Sequence, residues 1–69
     1  MDCMNIVVNG TERVVDAGVT LARLLEQLGL DPKGLAAAVN AEVVPRPHYA
    51  DRVLRAGDRV ELVRAVGGG

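Results

Sequence analysis

Phenylalanine and tryptophan are absent from this sequence, and tyrosine occurs once, at Tyr49. An interior without large rings has to be assembled from Leu, Val, Ile and Ala. It must also be efficient, because the chain has 69 residues and one of that size buries only about 60% of the surface its unfolded form exposes. The same lack of aromatics removes the stacking platforms on which single-stranded nucleic acid is held. Eight Lys+Arg stand against nine Asp+Glu, for a formal net charge of −1, and the basic residues are spread along the chain. No nucleic-acid footprint is expected from such a distribution.

Cysteine is equally scarce. Cys3 is alone, so no intramolecular disulfide can form, and it stands ahead of the first strand-like run with no histidine nearby in sequence to activate it. It reads as incidental. No second cysteine supplies a metal-ligand pair, and the sole histidine, His48, sits between Pro47 and Tyr49 as a loop residue would. No bound metal is expected. The longest uninterrupted apolar run, Leu35 to Val39, is far short of the ~20 residues that a membrane-spanning helix needs. The N-terminus also lacks the charged-then-apolar layout of a signal peptide. These features predict a cytoplasmic protein, not associated with membranes and monomeric when free.

What is present is a clear succession of local signals. Met4 to Val8 is short, apolar and β-branched, and it meets Asn9-Gly10, the strongest short-range hairpin signal because both residues tolerate positive φ. Thr11 to Val15 reads as the returning, antiparallel strand. Leu21, Leu24, Leu25 and Leu28 then fall at i, i+3, i+4 and i+7, one stripe on a helix. Thr20 is placed as its N-cap, Gly29 suits the left-handed position after its end, Leu30 can fold back as the accompanying apolar contact, and Pro32 forbids continuation. The helix is thus predicted over Leu21 to Leu28. Its four leucines, at ~1.5–3 kcal/mol each, are worth on the order of 6–12 kcal/mol when buried, so the stripe must lie against a sheet.

Leu35 to Asn40 reads as a strand, and Glu42 to Val44 as a short edge strand, since Pro45 cannot donate to a central ladder. Pro45 to Asp51 is predicted as an irregular loop with one helical turn. Ala56-Gly57-Asp58 supplies a turn before Arg59 to Val66, where Val60 and Leu62 alternate with Arg59 and Glu61 as in a half-buried strand. The predicted fold class is α+β: a ubiquitin-like β-grasp, with a mixed sheet of four to five strands, one main helix packed across it, and the first and last strands side by side in the centre. Residues 1–66 form the domain and 67–69 a flexible glycine tail.

That tail is the candidate working end. A terminal carboxylate, with a reference pKa of about 3.3–3.7, is an anion at neutral pH and a poor electrophile, so acyl chemistry requires it to be activated. Glycine has no Cβ and permits almost any backbone path into a confined site. Three extended residues at ~3.3–3.6 Å each carry the carboxylate about 10 Å from the body. Ordering them costs roughly 3–6 kcal/mol, which side chains of the tail cannot recover. Docking therefore falls to the folded surface. If Ile6 and Val8 face the helix, then Val7, Val63 and Ala65 face outward, and these three are predicted to form a small apolar docking patch. The plain alternatives are a frayed or engineered terminus and ordinary surface valines.

The residues also resemble a known family. Ile6-Val7-Val8-Asn9-Gly10, Thr20 to Leu25, Val39-Asn40-Ala41-Glu42-Val43-Val44-Pro45-Arg46, Gly57 to Glu61 and the terminal glycines are similar, in order and over the whole length, to the ThiS/MoaD-type sulfur carriers. The resemblance implies that an adenylating, E1-like partner uses ATP to activate the C-terminal carboxylate. Sulfur from a cysteine-derived persulfide, supplied by a donor such as a cysteine desulfurase, then displaces AMP and leaves a thiocarboxylate. Thiazole synthase receives that sulfur for thiamine biosynthesis.

Carried onto this sequence, Gly69 is the modified residue, while Gly67 and Gly68 thread into the partner's active site. The chain itself binds no cofactor and is a carrier, not an enzyme, in keeping with its lack of a nucleophile, base or metal constellation. The small subunit of molybdopterin synthase is the nearest rival, but it has phenylalanines in its first strand. Carriers for cysteine synthesis or tRNA thiolation, and a non-reactive β-grasp binding module, are the remaining alternatives.

Overall fold

The computed structural model describes residues 2–64. In chain order the elements are β1 (Cys3–Val8), β2 (Thr11–Asp16), α1 (Leu21–Gln27), β3 (Leu35–Val39), β4 (Glu42–Val44), a 3-10 turn at Arg46–His48, and β5 (Arg59–Arg64). The strands form one mixed sheet in the order β2-β1-β5-β3-β4. The central pair, β1 and β5, is parallel and the other pairings are antiparallel. With α1 across one face, this is the expected β-grasp arrangement.

Two short turns set the registers. Asn9 and Gly10 take φ values of 50° and 81°, which gives a two-residue connection whose twist matches the strands and pairs Val8 with Thr11. The second hairpin turns on Asn40 and Ala41, at φ 52° and 68°, and pairs Val39 with Glu42. Asn40 is therefore a turn residue and not the last residue of the strand, as its sequence neighbours had suggested. Ala41 carries a Cβ into the left-handed region, a strain that Gly10 does not bear.

α1 is shorter than the ~12–15 residues at which isolated helices become marginally stable, so its ends and its packing must hold it. The Thr20 hydroxyl accepts the Arg23 N–H at 3.2 Å. Leu28 closes the helix as its C-cap rather than as a helical residue. Gly29 follows at φ 71°, and the Gly29 and Leu30 N–H groups donate to Glu26 and Leu25 carbonyls at 3.0 and 2.9 Å, the paired bonds of a Schellman ending. At the other end, Leu21 N–H donates to the Arg52 carbonyl at 2.8 Å and Ala22 N–H to that of Tyr49 at 2.9 Å. Two of the helix's orphan donors are thus satisfied by a segment some thirty residues away in sequence.

The core is aliphatic. Ile6, Val8, Val39 and Val60 from the inner face of the sheet join Leu21, Leu24 and Leu25 of α1 in one buried cluster, with Leu54 contributed by the loop before β5. Tyr49 is also buried, and its hydroxyl donates to the Leu35 carbonyl at 3.0 Å, so the ring's polar end is not left unpaired. Cys3 is not ahead of the first strand but is its first residue, exposed and opposite Asp16. His48 is exposed in the 3-10 turn, with its Nδ1 4.0 Å from the Asp51 carboxylate. Among the described residues no helix is long and apolar enough to cross a membrane.

Candidate functional site

β5 is the strand from which the C-terminal residues continue, and asparagine side chains hold it at its start and at Leu62. Its alternation, with Val60 and Leu62 buried and Arg59, Glu61 and Val63 exposed, follows from a sheet covered on one face only. At its start, Asn40 Oδ1 accepts the Arg59 N–H at 3.0 Å, and Asn40 Nδ2 donates to the Asp58 carboxylate at 3.0 Å. Asp58 in turn accepts the Arg55 N–H at 2.8 Å, closing the turn around Gly57. Further along, Asn9 Oδ1 accepts the Leu62 N–H at 2.8 Å and Asn9 Nδ2 donates to the Leu62 carbonyl at 3.2 Å.

The sequence assigned roles to Val7, Val63, Ala65, Gly67, Gly68 and Gly69. Ala65 and the three glycines lie outside the described residues, as does the expected extension of the last strand to Val66. Val7 and Val63 both sit on the outer face of the sheet, opposite α1. The structure does not bring them together. Val7 pairs with Arg59, whereas Val63 lies four positions further along β5 and pairs with Ala36, a separation of about 13 Å along the strand. Val7 is half-buried, in a row that runs from Glu12 through Val7 to Arg59.

Different neighbours surround Val63. Ala36 is opposite it on β3, Ala38 follows two residues on, and Ala38 pairs with Val43 of β4. Val63 and Val43 are 63% and 74% exposed, so this half of the outer face carries two exposed valines with Ala36 and Ala38 on the strand between them, and Glu61 opposite Ala38. Across the sheet, Val14 on β2 is also 68% exposed, but it pairs with Asn5 and lies between Glu12 and Asp16 on the same face. Ala36, Ala38 and Val43 were not singled out from sequence. Their alternation with Leu35, Ala37, Val39 and Val44 held the signal, but their nearness to Val63 needed the β3–β5 register.

No three His, Cys, Asp or Glu side chains among the described residues are grouped to hold a metal ion. An apolar recess of about 340 Å³ lies on the helix side, lined by Leu25, Leu30, Pro47 and Tyr49, with Glu26 and Arg46 beside it. It is on the opposite side of the sheet from Val63.

Comparison with known proteins turns this geometry into an identity. The family model described as the ThiS family matches residues 4–69, which takes in both asparagine turns, β5 and the terminal glycines. The chain belongs to the ThiS family. The sulfur carrier protein ThiS of Escherichia coli is 36% identical over 66 residues, covering 96% of this chain and 100% of that protein. A thiazole synthase of Paramagnetospirillum magneticum is 41% identical over 66 residues, again 96% of this chain but only 20% of the relative. The chain thus spans a whole ThiS protein and about a fifth of a protein named thiazole synthase. In structure it is similar to the crystal structure of thiamine biosynthesis protein ThiS from Geobacter metallireducens, with a TM-score of 0.84 and 30% identity over 96% of this chain and 100% of that one.

Proposed function

We propose that this chain is a sulfur carrier of thiamine biosynthesis whose reacting group is the carboxylate of Gly69. The observation that carries the reading is the ThiS family match over residues 4–69, joined to a relative named as a sulfur carrier over its full length. In the proposed cycle, a carboxylate oxygen of Gly69 attacks the α-phosphorus of ATP in an adenylating partner, and pyrophosphate leaves. The terminal sulfur of a persulfide, such as a cysteine desulfurase provides, then attacks the acyl carbon and AMP leaves. A thiol cleaves the resulting acyl disulfide and releases the thiocarboxylate. Adenylation makes the acyl carbon electrophilic, which the free carboxylate is not.

Thiazole synthase is the proposed acceptor. Support comes from relatives of that name in which a segment similar to this chain makes up about a fifth of the length, a relationship expected if donor and acceptor work as a pair. This chain contributes no catalytic group of its own in the proposal. It presents Gly69, threads Gly67 and Gly68 into the partner, and docks through the outer face of the sheet. There, Val63 with Ala36, Ala38 and Val43 offers the larger apolar surface, and Val7 contributes at a distance. Such a small patch suits transient exchange between successive partners better than permanent association.

Intact-mass spectrometry tests the reading. Incubation with ATP, an active adenylating partner and a persulfide source is expected to replace one oxygen by sulfur at Gly69. Deleting Gly68 and Gly69 is expected to abolish loading without altering the unfolding transition. An unchanged mass in the presence of a demonstrably active partner overturns the carrier reading, and a truncated chain that still loads moves the acceptor elsewhere, with exposed Cys3 the first residue to examine.

A further inference from the structure

β1 ends at Val8, where the chain turns away through Asn9 and Gly10, yet β5 runs on to Arg64. The parallel ladder between them comprises the pairs Val7 with Arg59 and Val8 with Val60, and the Asn9 N–H donates to the Val60 carbonyl at 2.9 Å. A continuing parallel strand would next offer a carbonyl to the Leu62 N–H and an N–H to the Leu62 carbonyl. Once the chain has turned, the Asn9 carboxamide makes both of those bonds, at 2.8 and 3.2 Å. The side chain supplies the acceptor and the donor that two successive peptide groups of a continuing strand would have supplied.

We infer that Asn9 is a positioning residue, which extends the β1 ladder by one bonded residue and holds β5 at Leu62, two residues before the strand ends. Both the residue type and its backbone follow from this. A side-chain amide carries an acceptor and a donor that can both face one residue, and asparagine tolerates the φ of 50° that the turn requires. Aspartate could accept from Leu62 N–H but could not donate to its carbonyl. The bond spans 53 positions in sequence, so it ties the first hairpin directly to the last strand, two residues before Arg64.

The consequence for loading rests on the carrier reading above. The proposed docking residues lie on the outer face and are not bonded by the Asn9 side chain, whereas Leu62 is on the strand to which the residue proposed to react is joined in sequence. Removing the Asn9 bonds while Val63 keeps its pairing with Ala36 on β3 should therefore leave partner affinity intact and slow the chemistry, because misplacement of a reacting group by about 1 Å can cost up to a hundredfold in rate.

The experiment compares wild-type protein with Asn9→Gly, which keeps the positive φ and removes the carboxamide, and with Asn9→Asp, which keeps the acceptor alone. Loading kinetics with the adenylating partner and amide hydrogen exchange are read side by side, at a temperature where every variant is fully folded. For Asn9→Gly the expected result is a fall in kcat of about tenfold at unchanged KM, with faster exchange at Leu62 but not at Leu24 in the helix. Asn9→Asp should recover part of both. Wild-type kcat in Asn9→Gly, or a loss that tracks only the unfolded fraction, overturns the inference. If wild-type protein is not loaded at all by an active partner, the carrier reading falls. The bracing of β5 then stands or falls on whether exchange at Leu62 rises in Asn9→Gly.

Discussion

Both faces of this sheet carry valine, and only one of them is covered by the helix. On the inner face Ile6, Val39 and Val60 are at most 1% exposed beneath α1, while on the outer face Val14, Val43 and Val63 are 63% exposed or more. A valine in this protein therefore says nothing by its identity about whether it stabilises the fold or meets a partner. Parity along the strand decides that, and a slip of one residue would exchange the two sets. In a chain this short every inward apolar position is needed for the core, so large apolar side chains left outward are the ones available for recognition.

The largest expected effect lies on the inner side. Leu24 is 1% exposed, and Leu24→Ala should lower stability by about 2–5 kcal/mol, read from urea denaturation. Under conditions where it remains folded, its loading should be that of wild type. A smaller, opposite pattern is expected outside. Val63→Asp or Val43→Asp should raise the KM for loading about tenfold, equivalent to about 1.4 kcal/mol, while stability changes by less than ~1 kcal/mol. Val14→Asp, on the other half of the same face, should leave KM unchanged. Equal losses from Val14→Asp and Val63→Asp would break the distinction drawn between the two halves.

The smallest effect touches neither face. Ala41 has a φ of 68°, so Ala41→Gly should relieve left-handed strain and raise stability by about 0.5–1 kcal/mol, visible as a higher thermal midpoint. Loading kinetics should not move. A change in KM with this substitution would show that docking follows stability rather than the outer-face side chains.

Much of the body was legible in the residue order, because its strongest signals act over a few positions. Asn9-Gly10 marked the hairpin, the leucine spacing marked α1, Gly29 marked its end, and alternation in Arg59 to Val63 marked which side chains face the core. Boundaries moved where a tertiary contact prevailed: Leu28 became a cap, Asn40 joined a turn, and Cys3 joined β1 by pairing with Asp16. The docking patch was legible only in part. Outward parity for Val7 and Val63 follows from alternation, but whether two outward residues are neighbours depends on how far each strand is slid past the next. That register set Val63 beside Ala36 and away from Val7.

By itself, then, the sequence determined the aliphatic core, the order of strands and helix, and the turns between them. Only the tertiary structure decided that Tyr49 and Arg52 carbonyls complete the start of α1, that Ala36 and not Val7 stands beside Val63, and that the Asn9 side chain bonds Leu62. The physical reason is range. Backbone propensity, capping and alternation are settled among residues a few positions apart. A hydrogen bond across 53 positions exists only once the whole sheet has chosen its register.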